Sequence, residues 1–159
     1  MKRKIAVTVP VTILLLALYI LIFCFSAQSG EESGDLSRRV SGKCAEWLGW
    51  LSGEGGSVSG LLAEAMENPL RKAAHFAEYA CMGILVYVLW RQWLRRGGGL
   101  YLLTGGWVFL SAGADELHQL FVPGRYGSLL DVLLDTCGGV FGMALCLCVE
   151  KLLCRREGR

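Results

Sequence analysis

Residues 5–25 read IAVTVPVTILLLALYILIFCF. No charge interrupts them, and a hydrocarbon core asks for roughly 17–25 residues of helix, so the run reads as a membrane-crossing helix. Three more runs of similar length lie at about residues 74–93, 100–122 and 129–149. Hydrophobic residues make up 53% of the 159-residue chain and the mean hydropathy is +0.45, well above an ordinary soluble domain. The expectation is an all-α fold: one helical membrane domain over residues 1–159, with four transmembrane helices.

Orientation follows from Lys and Arg in the short flanks, which favour the cytoplasmic side. Lys2, Arg3 and Lys4 precede the first run, Arg91, Arg95 and Arg96 close the second, and Lys151, Arg155 and Arg156 follow the fourth. In a four-span chain these ends lie on one side, so both termini are expected in the cytoplasm. The net charge of +2 is then a topology signal and gives no reason to expect a nucleic-acid partner. Ala27-Gln28-Ser29 offers small residues at a signal-peptide cleavage spacing, but the apolar run exceeds the ~7–15 residues of an h-region. It reads as a retained anchor.

Residues 26–70 form an outer loop in this topology. Leu36, Val40, Cys44, Trp47 and Leu51 recur at helical spacing, with Arg38, Arg39, Lys43 and Glu46 mainly on the other face. That pattern predicts a short amphipathic helix, either lying in the outer membrane interface or covering the bundle as a lid. A weaker helical stretch, 61–67, is expected to stop at Asn68-Pro69. The seven cysteines match no zinc pattern, and no disulfide is predicted, although Cys24 and Cys44 both lie toward the outer side. Arg95-Arg96-Gly97-Gly98-Gly99 lacks the Gly-Lys-Ser/Thr ending of a phosphate loop. Gly138 and Gly142 make a small-xxx-small pair suited to close packing inside the bundle.

The charges inside the apolar runs carry the functional signal, because an ionised residue near a helix centre costs about 2.5–3.5 kcal/mol on insertion scales. Arg71, His75 and Glu78 share one helical face, bordered by Lys72 and Tyr79. Asp115, His118 and Gln119 share another with Ser111, with Glu116 at its edge; Ser128, Asp131 and Asp135 share a third. At 1.5 Å rise per residue, Glu78, Asp115 and Asp135 each lie roughly 10 Å inside the outer end of their helix. Arg125, in the Pro123–Gly127 turn, sits above them. The expectation is one polar pocket opening outward.

The string Lys72-x-x-His75-Phe76-x-Glu78-Tyr79, then Asp115-Glu116-x-His118-Gln119-x-Phe121-x-Pro123-Gly124-Arg125, then Ser128-x-x-Asp131 and Gly138, resembles the VanZ-like family. Ser26-x-Gln28 resembles that family's Ser/Gln element, and the resemblance covers about residues 5–150. Asp135 departs from it, since the family often carries Asn there. The resemblance implies a small multi-pass protein of the bacterial cell membrane. The family's founding member is associated with low-level resistance to teicoplanin, a lipid-tailed glycopeptide. A role in glycopeptide tolerance or envelope homeostasis in a Gram-positive envelope is therefore the functional expectation, with membrane lipid and a lipid-linked or lipoglycopeptide ligand as partners.

Three readings of the cluster stand side by side. In the first it is a structural ion-pair network that fixes helix register. In the second it binds a lipid head group or a zwitterionic drug. In the third it is catalytic, with His75 or His118 as base, Asp115 or Glu78 orienting it, and Arg125 or Lys72 holding a phosphate or carboxylate of a lipid-linked cell-wall precursor. His75, Glu78, Asp115 and His118 are of types that bind divalent metals, but nearby Lys and Arg compete for the acids, and no metal or cofactor is expected.

Overall fold

A computed structural model of the chain describes residues 2–52 and 57–157. Five helices account for nearly all of them: α1 Lys2–Ser26, α2 Gly30–Ser52, α3 Ser57–Arg91, α4 Gly98–Gln119 and α5 Leu129–Glu157. No strand occurs among the described residues. The all-α expectation holds.

Helix α3 is the axis of the bundle and packs on all four others. Its closest partner is α5, and glycine is what permits that approach. A Cβ on Gly83 would collide with the carbonyl oxygen of Gly139, one on Gly138 with that of Phe76, and one on Gly142 with that of Ala80. The small-xxx-small pair therefore works inside the bundle. Leu15, Ile22, Tyr79, Met82, Val86, Val108, Ala112 and Val132 form the main core, and Tyr87, Leu100 and Met143 form a second nearer the other end.

Outside, the usual pattern is inverted. Ile13, Leu16, Ile20, Leu102, Leu110, Leu129 and Leu130 are all more than half exposed. So broad an apolar exterior suits a lipid environment and would be a liability in water. By length and composition three helices can cross a membrane, over Lys4–Ser26, Gly60–Arg91 and Leu129–Arg155. The sequence reading counted four. Helix α4 falls short because Gly98, Gly99, Gly105, Gly106 and Gly113 dilute its hydropathy and Asp115 and Glu116 fall inside it.

The segment read as a loop is largely helical. Ser29 starts α2 with a capping box: its hydroxyl accepts from the Glu32 N–H at 3.3 Å while Glu32 Oε2 accepts from the Ser29 N–H at 3.1 Å. Helix α2 then lies along α3 through small residues, with Ser33, Ser41 and Ala45 buried. The far end of its apolar stripe stays open: Trp47 is 68% and Trp50 78% exposed. Helix α3 also runs through Pro69, where a stop was expected. Losing one backbone bond costs about 3 kcal/mol, offset here by α2 packed alongside and by Arg71 Nη2 donating to Asn68 Oδ1 at 3.1 Å across the proline.

Two clamps fix the ends. At one, Glu150 on α5 takes Arg91 at 3.4 Å, Arg96 at 2.9 Å and the Tyr87 hydroxyl at 3.2 Å, and Lys4 lies 5.1 Å over the Trp93 ring. At the other, the Gly30 N–H donates to the Pro123 carbonyl at 3.0 Å. That contact needs Gly124 at φ +73° and no side chain on Gly30, whose Cβ would strike the Gly124 carbonyl. All seven cysteines are free thiols, Cys24 and Cys44 included.

Candidate functional site

At the end of the bundle closed by the Gly30–Pro123 contact, α3, α5 and the α4–α5 turn enclose a cavity of about 490 Å³. Arg71, Lys72, His75, Glu116, Gln119, Arg125, Asp131 and Asp135 line it. Most of the charged residues singled out in the sequence do converge here, from elements far apart in the chain.

Each side chain has its own reason for being there. Lys72 Nζ donates to Asp131 Oδ1 at 2.6 Å, tying α3 to the first turn of α5 across half-exposed ground. Glu116 caps α5, its Oε2 accepting from the Ser128 N–H at 2.7 Å, so its charge meets the positive helix end. Behind the cavity wall lies a buried relay. Ser26 Oγ donates to Asp115 Oδ2 at 2.9 Å, Gln119 Nε2 donates to the same oxygen at 3.1 Å, and Arg125 Nη1 reaches Gln119 Oε1 at 3.5 Å. The rest of the Arg125 guanidinium closes the end of α1, donating to the carbonyls of Gln28 at 3.2 Å and Phe25 at 2.9 Å. Ser26 and Gln28 are thus part of the site, one through its side chain and the other through its backbone.

Two members stand out by what they lack. Asp135 is 1% exposed, and neither carboxyl oxygen has a hydrogen-bond partner among the described residues. The charged groups that act on it are Glu116, Asp115, Asp131 and Glu78, all acids. Arg125 has no carboxylate within ion-pair distance, and burial together with the neighbouring Arg71 guanidinium pushes it below its ordinary pKa. A buried unanswered acid is expensive, as is a pair of cations set side by side.

A second, smaller cleft of about 150 Å³ opens between α2 and α3. Phe25, Leu36, Val40, Leu70 and Ala74 give it apolar walls, and it shares Arg71, His75 and Arg125 with the polar cavity. Glu78 lines this cleft and not the larger cavity; its Oε2 is 3.7 Å from His75 Nδ1, too far for a hydrogen bond.

Three further expected residues line another space. Asp115, His118 and Tyr79 border a groove of about 580 Å³ on the far side of α4, toward α1. There His118 packs on Phe23, with ring centroids 4.7 Å apart, and the Tyr79 hydroxyl donates to the Ser111 carbonyl at 3.5 Å. The sequence missed Tyr19 and Trp107, which organise this groove with Ser111: Trp107 Nε1 donates to the Tyr19 hydroxyl at 2.8 Å, and the Tyr19 and Ser111 hydroxyls share a 2.5 Å bond. Polar groups inside the first apolar run were the available signal. Since His118 is parted from His75 and Glu78, the four-residue metal set does not assemble, and no group of three potential ligands occurs among the described residues.

This arrangement spans α1 to α5, and so does the match to a known family: the sequence profile of VanZ/LLP1 covers residues 11–151. The chain belongs to the VanZ/LLP1 family. Neither the curated proteins nor the solved structures yield a match. For this VanZ/LLP1 chain, apolar membrane-length helices and family membership together make it a membrane protein. Most of the residues that carried the resemblance, from Lys72 to Asp131, lie around the polar cavity and the two spaces beside it; Phe76, Phe121 and Pro123 do not.

Proposed function

We propose that this VanZ/LLP1 protein crosses the bacterial cell membrane four times, with both termini cytoplasmic, and binds an envelope ligand in the polar cavity at its outer face. Ligand binding there contributes to glycopeptide tolerance, teicoplanin in particular, or to envelope homeostasis. Helix α4 supplies the fourth crossing: its polar residues face the cavity and the α1 groove, while Leu102 and Leu110 remain outward. Grouping of Lys4, Arg91, Arg96 and Glu150 at the opposite end supports the assignment of that end to the cytoplasm.

Asp135 carries the binding reading. A network whose only task is to hold helices together gains nothing from a buried carboxyl with no partner, whereas a binding cavity needs a group left over for its ligand. An enzyme acting on a lipid-linked cell-wall precursor is the alternative, favoured by His75, whose buried Nδ1 also lacks a partner and lies near Glu78.

The test is teicoplanin and vancomycin inhibitory concentration in a sensitive Gram-positive host. Strains express wild type, Asp135→Ala or Asp115→Asn at verified equal membrane levels. Expected is a rise for teicoplanin in wild type that Asp135→Ala removes. No rise in any strain rejects the tolerance role, and a changed lipid product by mass spectrometry in wild type alone favours the enzyme.

A further inference from the structure

The two cavities at the outer end form a sequence of environments. The apolar cleft between α2 and α3 comes first; its inner edge is Arg71, His75 and Arg125; beyond that edge lies the polar cavity, with Asp135 one helical turn deeper than the Lys72–Asp131 pair. Four residues of helix make that step about 6 Å. Along this line the surroundings change from hydrocarbon to cation to acid.

Among the described residues, no ion pair closes Arg71, Arg125 or Asp135. Arg71 bonds only the neutral Asn68 side chain, and Arg125 bonds carbonyls and Gln119. Neither has a carboxylate within 4.0 Å among the described residues. The other charges near the edge are already engaged or face the cleft: Lys72 with Asp131, Glu116 with the α5 N-terminus, and Glu78 beside His75. Two guanidinium groups on one edge call for an anion, and Asp135, buried without a hydrogen-bond partner, calls for a cation.

Building on the proposed binding role, we propose that the site takes a zwitterionic membrane amphiphile, a phospholipid whose head carries a phosphate followed by a primary ammonium. Its chain enters the α2–α3 cleft, its phosphate sits between Arg71 and Arg125, and its ammonium points down to Asp135. The order tail, phosphate, ammonium in such a lipid is the order of environments in the protein. A head ending in a neutral polyol answers the arginines and offers Asp135 hydroxyls without the positive charge. A quaternary ammonium has no N–H to give it.

The experiment compares purified full-length protein in nanodiscs or mixed micelles containing phosphatidylethanolamine, phosphatidylglycerol or phosphatidylcholine, with soluble phosphoethanolamine and inorganic phosphate as separate arms. Bound lipid is read by native mass spectrometry, and folding by thermal unfolding. Expected is a preference for phosphatidylethanolamine of about tenfold over either other lipid, with both soluble compounds far weaker. Asp135→Asn brings phosphatidylethanolamine and phosphatidylglycerol to parity. Arg71→Gln, which leaves the Arg125 clamp intact, weakens both lipids by about tenfold. Equal binding of all three lipids by folded wild type overturns the proposal, as does a preference that survives Asp135→Asn. Soluble phosphoethanolamine binding as tightly as the lipid overturns the assignment of the cleft to a chain. If wild type confers Asp135-dependent teicoplanin tolerance but shows no head-group preference, the zwitterion fails and the tolerance role stands. Head-group preference without tolerance supports the zwitterion and removes that role.

Discussion

The Arg125 guanidinium donates to the Phe25 carbonyl at 2.9 Å, closing a helix that ended 100 residues earlier in the chain. One side chain in the α4–α5 turn thereby anchors α1, whose other polar contacts at this end of the bundle run through Ser26 and the Gln28 backbone.

Replacing Arg125 by Ala removes donors that the ends of α1 and Gln119 rely on. Hydrogen bonds to charged groups contribute about 1.5–3 kcal/mol net, so loss of stability in that range is expected. Arg125→Lys, with the charge but without the fork, should fall between. Thermal unfolding of the purified protein in one detergent measures both.

Ser26 and Asp115 should be energetically coupled. With Asp115→Ala, the Ser26 hydroxyl and the Gln119 amide are left buried without their acceptor, at about 1–3 kcal/mol. A double-mutant cycle of Ser26→Ala and Asp115→Ala should give a coupling of about 1 kcal/mol. Strict additivity of the two changes would deny the bond its role.

Two glycine substitutions of identical chemistry should have opposite outcomes. Gly83→Ala drives a Cβ into the Gly139 carbonyl, where α3 and α5 touch, and should destabilise by about 1–3 kcal/mol. Gly105→Ala meets nothing within 4 Å and should stabilise α4 by about 0.5–1 kcal/mol through helix propensity. Unfolding temperatures moving the same way for both would contradict the packing described.

Trp47 and Trp50 on α2 should report lipid contact. Both are exposed at the far end of the apolar stripe. Incorporation of brominated lipid should quench their emission, measured in variants keeping only one of the two and compared with variants keeping only Trp90. Absence of quenching at Trp47 and Trp50 would place the stripe against something other than lipid.

Sequence reasoning reached the helical class, the clustering of Arg71, Lys72, His75, Asp131 and Asp135, and the role of Gly138 and Gly142, because costly charges and small residues in apolar runs leave few alternatives. It placed His118 beside Asp115 on one face. In a helix of 3.6 residues per turn, His118 and Gln119 point about 100° apart, and Asp115 lies between them. The bundle uses both directions, so Gln119 turns to the cavity and His118 to the α1 groove. Hydropathy on α2 marked the stripe, of which Leu36 and Val40 line the cleft beside α3 while Trp47 stays exposed, and it left the buried small residues unmarked. Ser33, Ser41 and Ala45 carry almost no hydropathic signal, and their use is to let two backbones come close. The Ser29–Glu32 cap was readable from its spacing, which fixes where α2 begins.

Asp115 borders the groove beside α1, and the Gln119 it bonds borders the polar cavity. The two spaces are therefore back to back, with the Asp115–Gln119 pair as the partition between them. In the topology proposed above, that partition would be a septum between hydrocarbon and an aqueous vestibule. Its integrity rests on short polar links rather than on bulk, so trimming either residue opens a passage where the folded protein maintains a seal.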